Sequence, residues 1–365
     1  MTSMPGVTPG QVPGLIQPLP DGPLDIVGDI HGEYAALCRL LALLGYDAAG
    51  HHPAGRRLVF VGDFCDRGPD SPAVLALVER LVRGGTALAV LGNHEVNLLR
   101  DDAKDGAGWF FDARLERDGP KYAPFARPTA PQRLAIVAFL GTLPVGLERA
   151  DLRVIHAAWI APAVAAARAM PVTALRAEYD AGEQRAAVAA GALLPQMRAE
   201  LAAWGHSLEQ ADVAPPYMPA HADSEVLKQG TNPLKVLTSG VERQAVAPFF
   251  ASGKWRFVDR VRWWDSYDDS VPVVMGHYWR RVAPAGHGKD HADLFSGIGP
   301  ERWLGRRGNV FCVDFSVGAR WAARRAGQPP RHDFKLAALQ WPERLLRFDD
   351  GSVLPTQGFS DGTGL

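Results

Sequence analysis

Short apolar runs that end in a glycine and then a polar side chain punctuate the first half of the chain, and stretches of helical period separate them. Leu24-Asp25-Ile26-Val27 leads into Gly28-Asp29, after which Tyr34, Leu37, Leu40, Leu41 and Leu44 recur at helical spacing until Gly45 stops them. Leu58-Val59-Phe60-Val61 leads into Gly62-Asp63. A second helix is expected from Ser71, a good N-cap, with Val74, Leu77, Val78 and Leu81 inward and Gly84-Gly85 closing it. Ala87-Leu88-Ala89-Val90-Leu91 repeats the pattern into Gly92-Asn93. Such alternation predicts an α/β layered fold.

Further runs, 151–158 (DLRVIHAA), 272–275 before Gly276-His277, 309–316 and 335–341, read as later strands of the same body. Residues 101–130 are polar and Gly/Pro-rich, an irregular insertion, and 134–140 resume a helix. The Ala-rich stretch 161–207 predicts a helical insertion or cover. The expected organisation is a flexible Pro/Gly-rich segment 1–22, one main domain 23–345 and a C-terminal tail 346–365.

Composition narrows the class. With 47% hydrophobic and 22% charged residues, the 365-residue chain can bury a sizeable core, so disorder throughout is excluded. Thirty-nine Lys+Arg against forty Asp+Glu leave a net charge of −1, which argues against nucleic-acid or membrane partners gripped by bulk charge. Cys38, Cys65 and Cys312 are too few and scattered for a disulfide framework. With no signal-like or membrane-spanning apolar window, the expected location is the cytoplasm.

The chemistry lies at the ends of the runs. In order they hold Asp29 and His31, then Asp63, Asp66 and Arg67, then Asn93, His94 and Glu95, then His156, then His277. Parallel strands deliver their C-terminal ends to one sheet edge, so these side chains can converge. Three histidines, two carboxylates and one amide make a mixed N/O donor set suited to borderline divalent ions. Six donors exceed the need of one open ion, and a shared carboxylate can serve two, as in phosphate-cleaving sites. Arg67 offers a fork for phosphate oxygens, and His94 stands beside a ligand with Asp66 available to orient its ring.

Gly28-Asp29-Ile30-His31-Gly32, Gly62-Asp63-Phe64-Cys65-Asp66-Arg67-Gly68 and Gly92-Asn93-His94-Glu95 resemble the GDxHG, GDxxDRG and GNHE motifs of calcineurin-like metallophosphoesterases, phosphoprotein-phosphatase branch. The resemblance extends to His156, to Gly276-His277 and to a Trp264-Asp265 pair, and covers about 23–345. It implies a four-layer αββα sandwich with two divalent metals, Mn²⁺ foremost and Fe or Zn as alternatives. Asp29 and His31 would hold the first metal, Asp63 would bridge, and Asn93, His156 and His277 would hold the second. Arg67 would bind phosphate, His94 with Asp66 would donate a proton, and Glu95 would support the ligands from behind.

The implied activity is hydrolysis of phosphomonoesters, as in serine/threonine phosphatases, by a hydroxide between the metals. The alternative is a symmetrical bis(5′-nucleosyl)-tetraphosphatase, so the expected partner is a phosphorylated protein or a small phosphoester or nucleotide. A non-catalytic scaffold should show a broken ligand set, whereas every position is present here. Two departures stand out: His156-Ala157-Ala158 replaces His-Gly-Gly, and Gly276-His277-Tyr278-Trp279 replaces Arg-Ala-His-Gln. A second phosphate-binding arginine is expected among Arg243, Arg256, Arg260 and Arg262.

Other candidates read as ordinary structure. His51, His52, His206 and His221 are expected on the surface, and His287 and His291 in a solvated loop with substrate contact as the alternative. Cys65 reads as a packed thiol, and Trp263, Trp264, Trp279 and Trp303 as buried rings that could instead stack on a base.

Overall fold

The computed structural model describes residues 12–251, 253–283, 293–329 and 331–360. Two sheets form its centre. One joins β1 (Ile16–Pro18), β5 (Gly146–Arg149), β6 (Leu152–Ile155), β9 (Val273–Met275) and β10 (Val310–Cys312), in that spatial order. The other runs β13 (Val353–Pro355), β12 (Leu345–Phe348), β11 (Ala337–Trp341), β2 (Leu24–Val27), β3 (Arg57–Phe60), β4 (Ala87–Ala89). Strands β2, β3 and β4 are mutually parallel, as are β6, β9 and β10, so each triplet presents its C-terminal ends together.

Alternation along these strands sorts side chains into layers. Leu24, Ile26, Val59 and Val61 meet Leu152, Val154, Val274, Phe311 and Val313 in a core between the sheets. The intervening Val27, Leu58, Phe60, Ile155, Val273, Met275 and Cys312 join the larger core under the helices. Both faces are buried, which is why the strands read as continuous apolar runs rather than alternating ones. The result is the expected four-layer αββα sandwich.

The helices follow their local signals. After α1 (Tyr34–Leu44), Gly45 takes the left-handed conformation at φ 93°. Helix α2 (Ser71–Arg83) is capped by Asp70, whose carboxylate accepts from Ala73 N at 3.0 Å. That corrects Ser71 as the cap: its Oγ accepts instead from Asp66 N at 3.0 Å, inside the site. Helix α3 (Asn93–Leu99) begins within the third motif. The 101–130 segment is short 3₁₀ turns and α4 (Leu115–Tyr122), and α5 (Ala130–Leu140) follows under a Thr129 capping box. Helices α6 (Ala161–Arg168), α7 (Leu175–Gly191) and α8 (Leu194–Trp204) supply the expected helical insertion. The excursion then continues through α9 (Pro219–Gly230), α10 (Pro233–Ser239) and a hairpin of β7 (Glu242–Ala251) and β8 (Lys254–Arg260) before β9. Helix α11 (Trp321–Arg325) follows β10.

Both ends of the described chain depart from expectation. Within 12–22, Leu15 is fully buried and Ile16–Pro18 pairs in parallel with 146–148, so this Pro/Gly-rich stretch is an edge strand rather than a flexible lead. Within the tail, β12 and β13 extend the second sheet, and Leu346 and Phe348 enter the core. Among the described residues no helix is long and apolar enough to cross a membrane.

Candidate active site

Six strand ends converge. The turns after β2, β3, β6, β9 and β10 carry Asp29 and His31, Asp63 to Arg67, His156, His277 and Asp314, and the turn after β4 enters α3 with Asn93, His94 and Glu95. His31, Asp63, Asp66, Arg67 and His277 all have φ between 47° and 73°, a left-handed conformation costly for non-glycine residues and concentrated at functional sites. Two motif glycines permit the crowding. A Cβ on Gly92 would lie 2.2 Å from Asp63 Oδ1, and one on Gly276 would lie 2.0 Å from Asp29 Oδ1.

Asp63 stands at the centre of two donor groups, His31–Asp63–His94 and Asp63–His156–His277, each with donor atoms within 4.8 Å of one another. Its Oδ1 is 3.4 Å from His156 Nε2, and its Oδ2 is 3.8 Å from the Nε2 atoms of both His31 and His94. Asn93 Oδ1 lies 3.3 Å from His156 Nε2 and 3.0 Å from His277 Nδ1. His31 and His156 donate Nδ1–H to the carbonyls of Cys65 at 3.0 Å and Val61 at 2.8 Å, which turns each Nε2 toward the site. Asp29 belongs to neither group and accepts His277 N–H at 3.1 Å.

The charges in this cluster are unbalanced. Burial pushes Asp29 well up, with Asp314 and Asp63 adding repulsion, and burial raises Asp314 likewise. Burial also opposes Asp63, but the facing His156 and His94 hold it well below the usual carboxylate range. Against its own burial, Asp63 and then Asp29 carry His156 up to about 10. Burial lowers His31 and His277, aided by Arg67 and Arg260 respectively. Among the described residues no Lys or Arg pairs with Asp29, Asp63 or Asp314, and His277 Nε2 is buried without a partner. Unpaired buried carboxylates with imidazole lone pairs between them fit divalent cations.

On the open side, His94 Nδ1 meets Asp66 Oδ2 at 2.5 Å, and burial, which works against charge on His94, is outweighed by the carboxylates of Asp63 and Asp66, leaving its pKa raised. Arg67 reaches His31 Nε2 at 2.9 Å and His94 Nε2 at 3.2 Å, with its guanidinium 4.6 Å from the Trp279 ring. Behind the site, Glu95 accepts from Asp63 N and Phe64 N at 2.8 Å and from Gly92 N at 3.0 Å, so one carboxylate ties the second and third motifs together.

Three participants escaped sequence reading. Asp314 follows the apolar 310–313 run as Asp29 follows Val27-Gly28, and that pattern could have found it. Trp109, whose indole N–H reaches Asp66 Oδ1 at 2.5 Å, comes from the irregular 101–130 segment and had no signal. Arg324 on α11 pairs with Glu33 and donates to the Arg67 carbonyl at 3.2 Å, a long-range contact no local pattern announces.

A cleft of about 710 Å³ opens from Arg67, Asn93 and His94 between α3, α4 and the large insertion. Eight Lys and Arg line it against three acidic residues, among them Arg100, Arg117, Lys121, Lys235 and Arg256. Of the four candidate second arginines, Arg256 lines the cleft and Arg260 lies close enough to depress His277. Arg262 pairs outward with Asp265 at 3.2 Å, which also takes Asp265 of the Trp-Asp pair away from the chemistry.

The departures have packing reasons. Ala157 and Ala158 bury their methyls in the helix-side core, and their N–H groups meet the Leu237 carbonyl. Trp263, Trp264 and Trp303 are buried, so only Trp279 of the four faces the site. His51 and His206 are exposed, and His52 bonds the Leu44 carbonyl at 3.0 Å. His221 corrects the surface expectation: it is 6% exposed, and its Nδ1 meets Glu200 at 2.7 Å. Cys65 is a packed thiol donating to Glu95 at 3.2 Å. His287 and His291 lie outside the described residues.

Comparison with known proteins supplies context. Residues 22–210 match the family model for calcineurin-like phosphoesterase. The chain is 48% identical over 79 residues to the asymmetrical bis(5′-nucleosyl)-tetraphosphatase PrpE of Halalkalibacterium halodurans, covering 21% of this chain and 32% of that protein. It is also 48% identical over 73 residues to the symmetrical bis(5′-nucleosyl)-tetraphosphatase of Dechloromonas aromatica, covering 20% of this chain and 24% of that one. The chain thus spans a third or less of the length of these relatives. Among solved structures, a cold-active protein-tyrosine phosphatase of a psychrophilic Shewanella aligns over 93% of this chain and 83% of its own, at 19% identity and a TM-score of 0.44. With the family model matching more than half of its residues, the chain belongs to the calcineurin-like phosphoesterase family.

Proposed function

We propose that this protein is a divalent-metal-dependent hydrolase of phosphoanhydride bonds in dinucleoside polyphosphates. The observation that carries the substrate choice is the cleft, where eight Lys and Arg share the wall with His94 and where, among the described residues, no carboxylate pairs with Arg67, Arg117 or Arg256. A phosphomonoester, the first expectation from the motifs, uses one phosphate contact and leaves Arg117 and Arg256 without one. A chain of phosphates carries several negative charges in a line and can engage them as well.

Asp29, His31, Asp63, Asn93, His156 and His277 would hold two ions, with Mn²⁺ the first metal to test and Fe or Zn next. Such ions supply Lewis acidity toward phosphoryl oxygens and a stronger nucleophile from water near neutral pH. The chain does the rest. Arg67 grips phosphate oxygens through two N–H groups, its plane steadied by Trp279. His94, oriented by Asp66, delivers a proton to the leaving oxygen. Arg256 and Arg260 meet the phosphates beyond the reacting one.

The test is a parallel assay of Mn²⁺-loaded protein on diadenosine tetraphosphate, a phosphoserine/phosphothreonine peptide and p-nitrophenyl phosphate. Diadenosine tetraphosphate should give the highest kcat/KM. Two ADP as product would mark symmetrical cleavage, and ATP plus AMP asymmetrical cleavage. Preference for the phosphopeptide would overturn the proposal and restore the phosphoprotein reading.

A further inference from the structure

We infer that Trp109 is the positioning residue of the proton-donating pair, and that the segment carrying it couples the cationic cleft to that pair. The inference rests on the hydrolase reading above. The Asp66 carboxylate has two oxygens with one task each: Oδ2 faces His94 Nδ1 at 2.5 Å, and Oδ1 accepts the Trp109 indole N–H at 2.5 Å. A carboxylate plane turns broadly about its terminal torsion, so one hydrogen bond does not fix it. The second bond, from a ring 1% exposed and packed edge-on against Phe110 at 5.2 Å, pins the plane that aims the His94 ring.

Trp109 is in turn held by a braced loop. Gly106 O accepts from Arg67 N at 3.3 Å, so the loop touches the phosphate-gripping arginine as well. Asp118 collects the N–H groups of Gly106 and Gly108 at 3.1 and 2.9 Å and pairs with Arg114 at 2.7 Å. Lys104, Arg114, Arg117 and Lys121 of this segment line the cleft, Lys104 paired with Asp102, Arg114 with Asp118 and Lys121 with Asp105. One element therefore receives the distal phosphates and sets the proton donor.

The test compares wild type and Trp109→Phe on diadenosine tetraphosphate, phenyl phosphate and p-nitrophenyl phosphate, with metal content measured alongside. Residues that orient a working group through a hydrogen bond are worth about 10- to 100-fold. The variant should lose that factor in kcat on phenyl phosphate, whose leaving oxygen needs a proton. On p-nitrophenyl phosphate it should stay within about twofold of wild type, since this leaving group departs largely unaided. In an Asp66→Asn background the same change should have no further effect, because the pair it serves is already broken. Benzothienylalanine at position 109 keeps the bicyclic shape without the N–H and should behave like Phe, which covers the case in which Phe packs badly. Equal losses on both aryl phosphates, no loss on either, or full additivity with Asp66→Asn would each overturn the inference. A wild type inactive on every phosphate substrate would instead remove the hydrolase reading, and this inference with it.

Discussion

Asp66 Oδ2 and His94 Nδ1 lie 2.5 Å apart, although the two residues come from the ends of different strands with helix α2 between them. This contact leaves Nε2, which Arg67 approaches at 3.2 Å, as the imidazole nitrogen on the open side. His94→Asn should therefore lower kcat on dinucleoside polyphosphates by roughly 10²–10⁴, the usual worth of general acid catalysis. Two metals should remain bound, and p-nitrophenyl phosphate should suffer less. Equal losses on both substrates would remove the proton-donor role.

Asp63 belongs to both donor groups, so its loss should not be partial. Asp63→Asn is expected to abolish turnover and to lower bound metal toward one ion or none. Elemental analysis of the purified variant checks this. Two ions retained at wild-type activity would contradict the central place of Asp63.

Adding Mn²⁺ should stabilise the folded chain, because a ligand that binds only the native state raises its stability by about 2.7 kcal/mol at a hundredfold excess over Kd. A thermal melt with and without chelator reads this directly. Asp314→Asn removes a buried carboxylate that adds to the charge around Asp29 and Asp63 and should shrink the metal-induced rise in Tm. An unchanged rise would mean that Asp314 contributes nothing to the charge that attracts the ions.

Arg256 lines the cleft and belongs to neither donor group. Arg256→Ala should raise KM for diadenosine tetraphosphate about tenfold and weaken its dependence on salt, while KM for p-nitrophenyl phosphate moves little. A matching rise for both substrates would place Arg256 at the reacting phosphate instead.

Far from the chemistry, Asp25 is wholly buried on β2 and accepts from Arg56 Nε at 2.9 Å, Tyr46 Oη at 2.6 Å and Gln340 Nε2 at 3.0 Å. Arg56→Met would leave that carboxylate without its cation, at a cost of about 3–5 kcal/mol. A denaturant titration showing a loss below about 1 kcal/mol would mean that the remaining donors suffice.

Much of the site could be read from the chain because each donor follows its own apolar strand by a fixed, short turn. Asp29, Asp63 and Asn93 are set by local chemistry: a buried strand, a glycine that allows close approach, then the side chain. His156 and His277 obey the same rule with weaker signals, and Asp314 obeys it too. The edge strand at Ile16–Pro18 was hidden because Pro and Gly are common both in loose leaders and at sheet edges, and only its pairing with 146–148 separates the two.

By itself the sequence determined an α/β layered fold and the order in which the candidate donor residues reach one edge, since period and turn chemistry are local properties, whereas the four-layer αββα arrangement came from the family resemblance. The tertiary structure alone decided what those residues meet. Trp109 finds Asp66, Arg324 finds the Arg67 carbonyl, and His221 is buried against Glu200, each across a distance in sequence that no local pattern spans. The cleft is of the same kind: its cations come from the turns at Arg67, Arg100, Lys104 and Arg114 and from α4, α10 and β8, and packing of those elements gathers eight Lys and Arg around one groove in a chain of near-zero net charge.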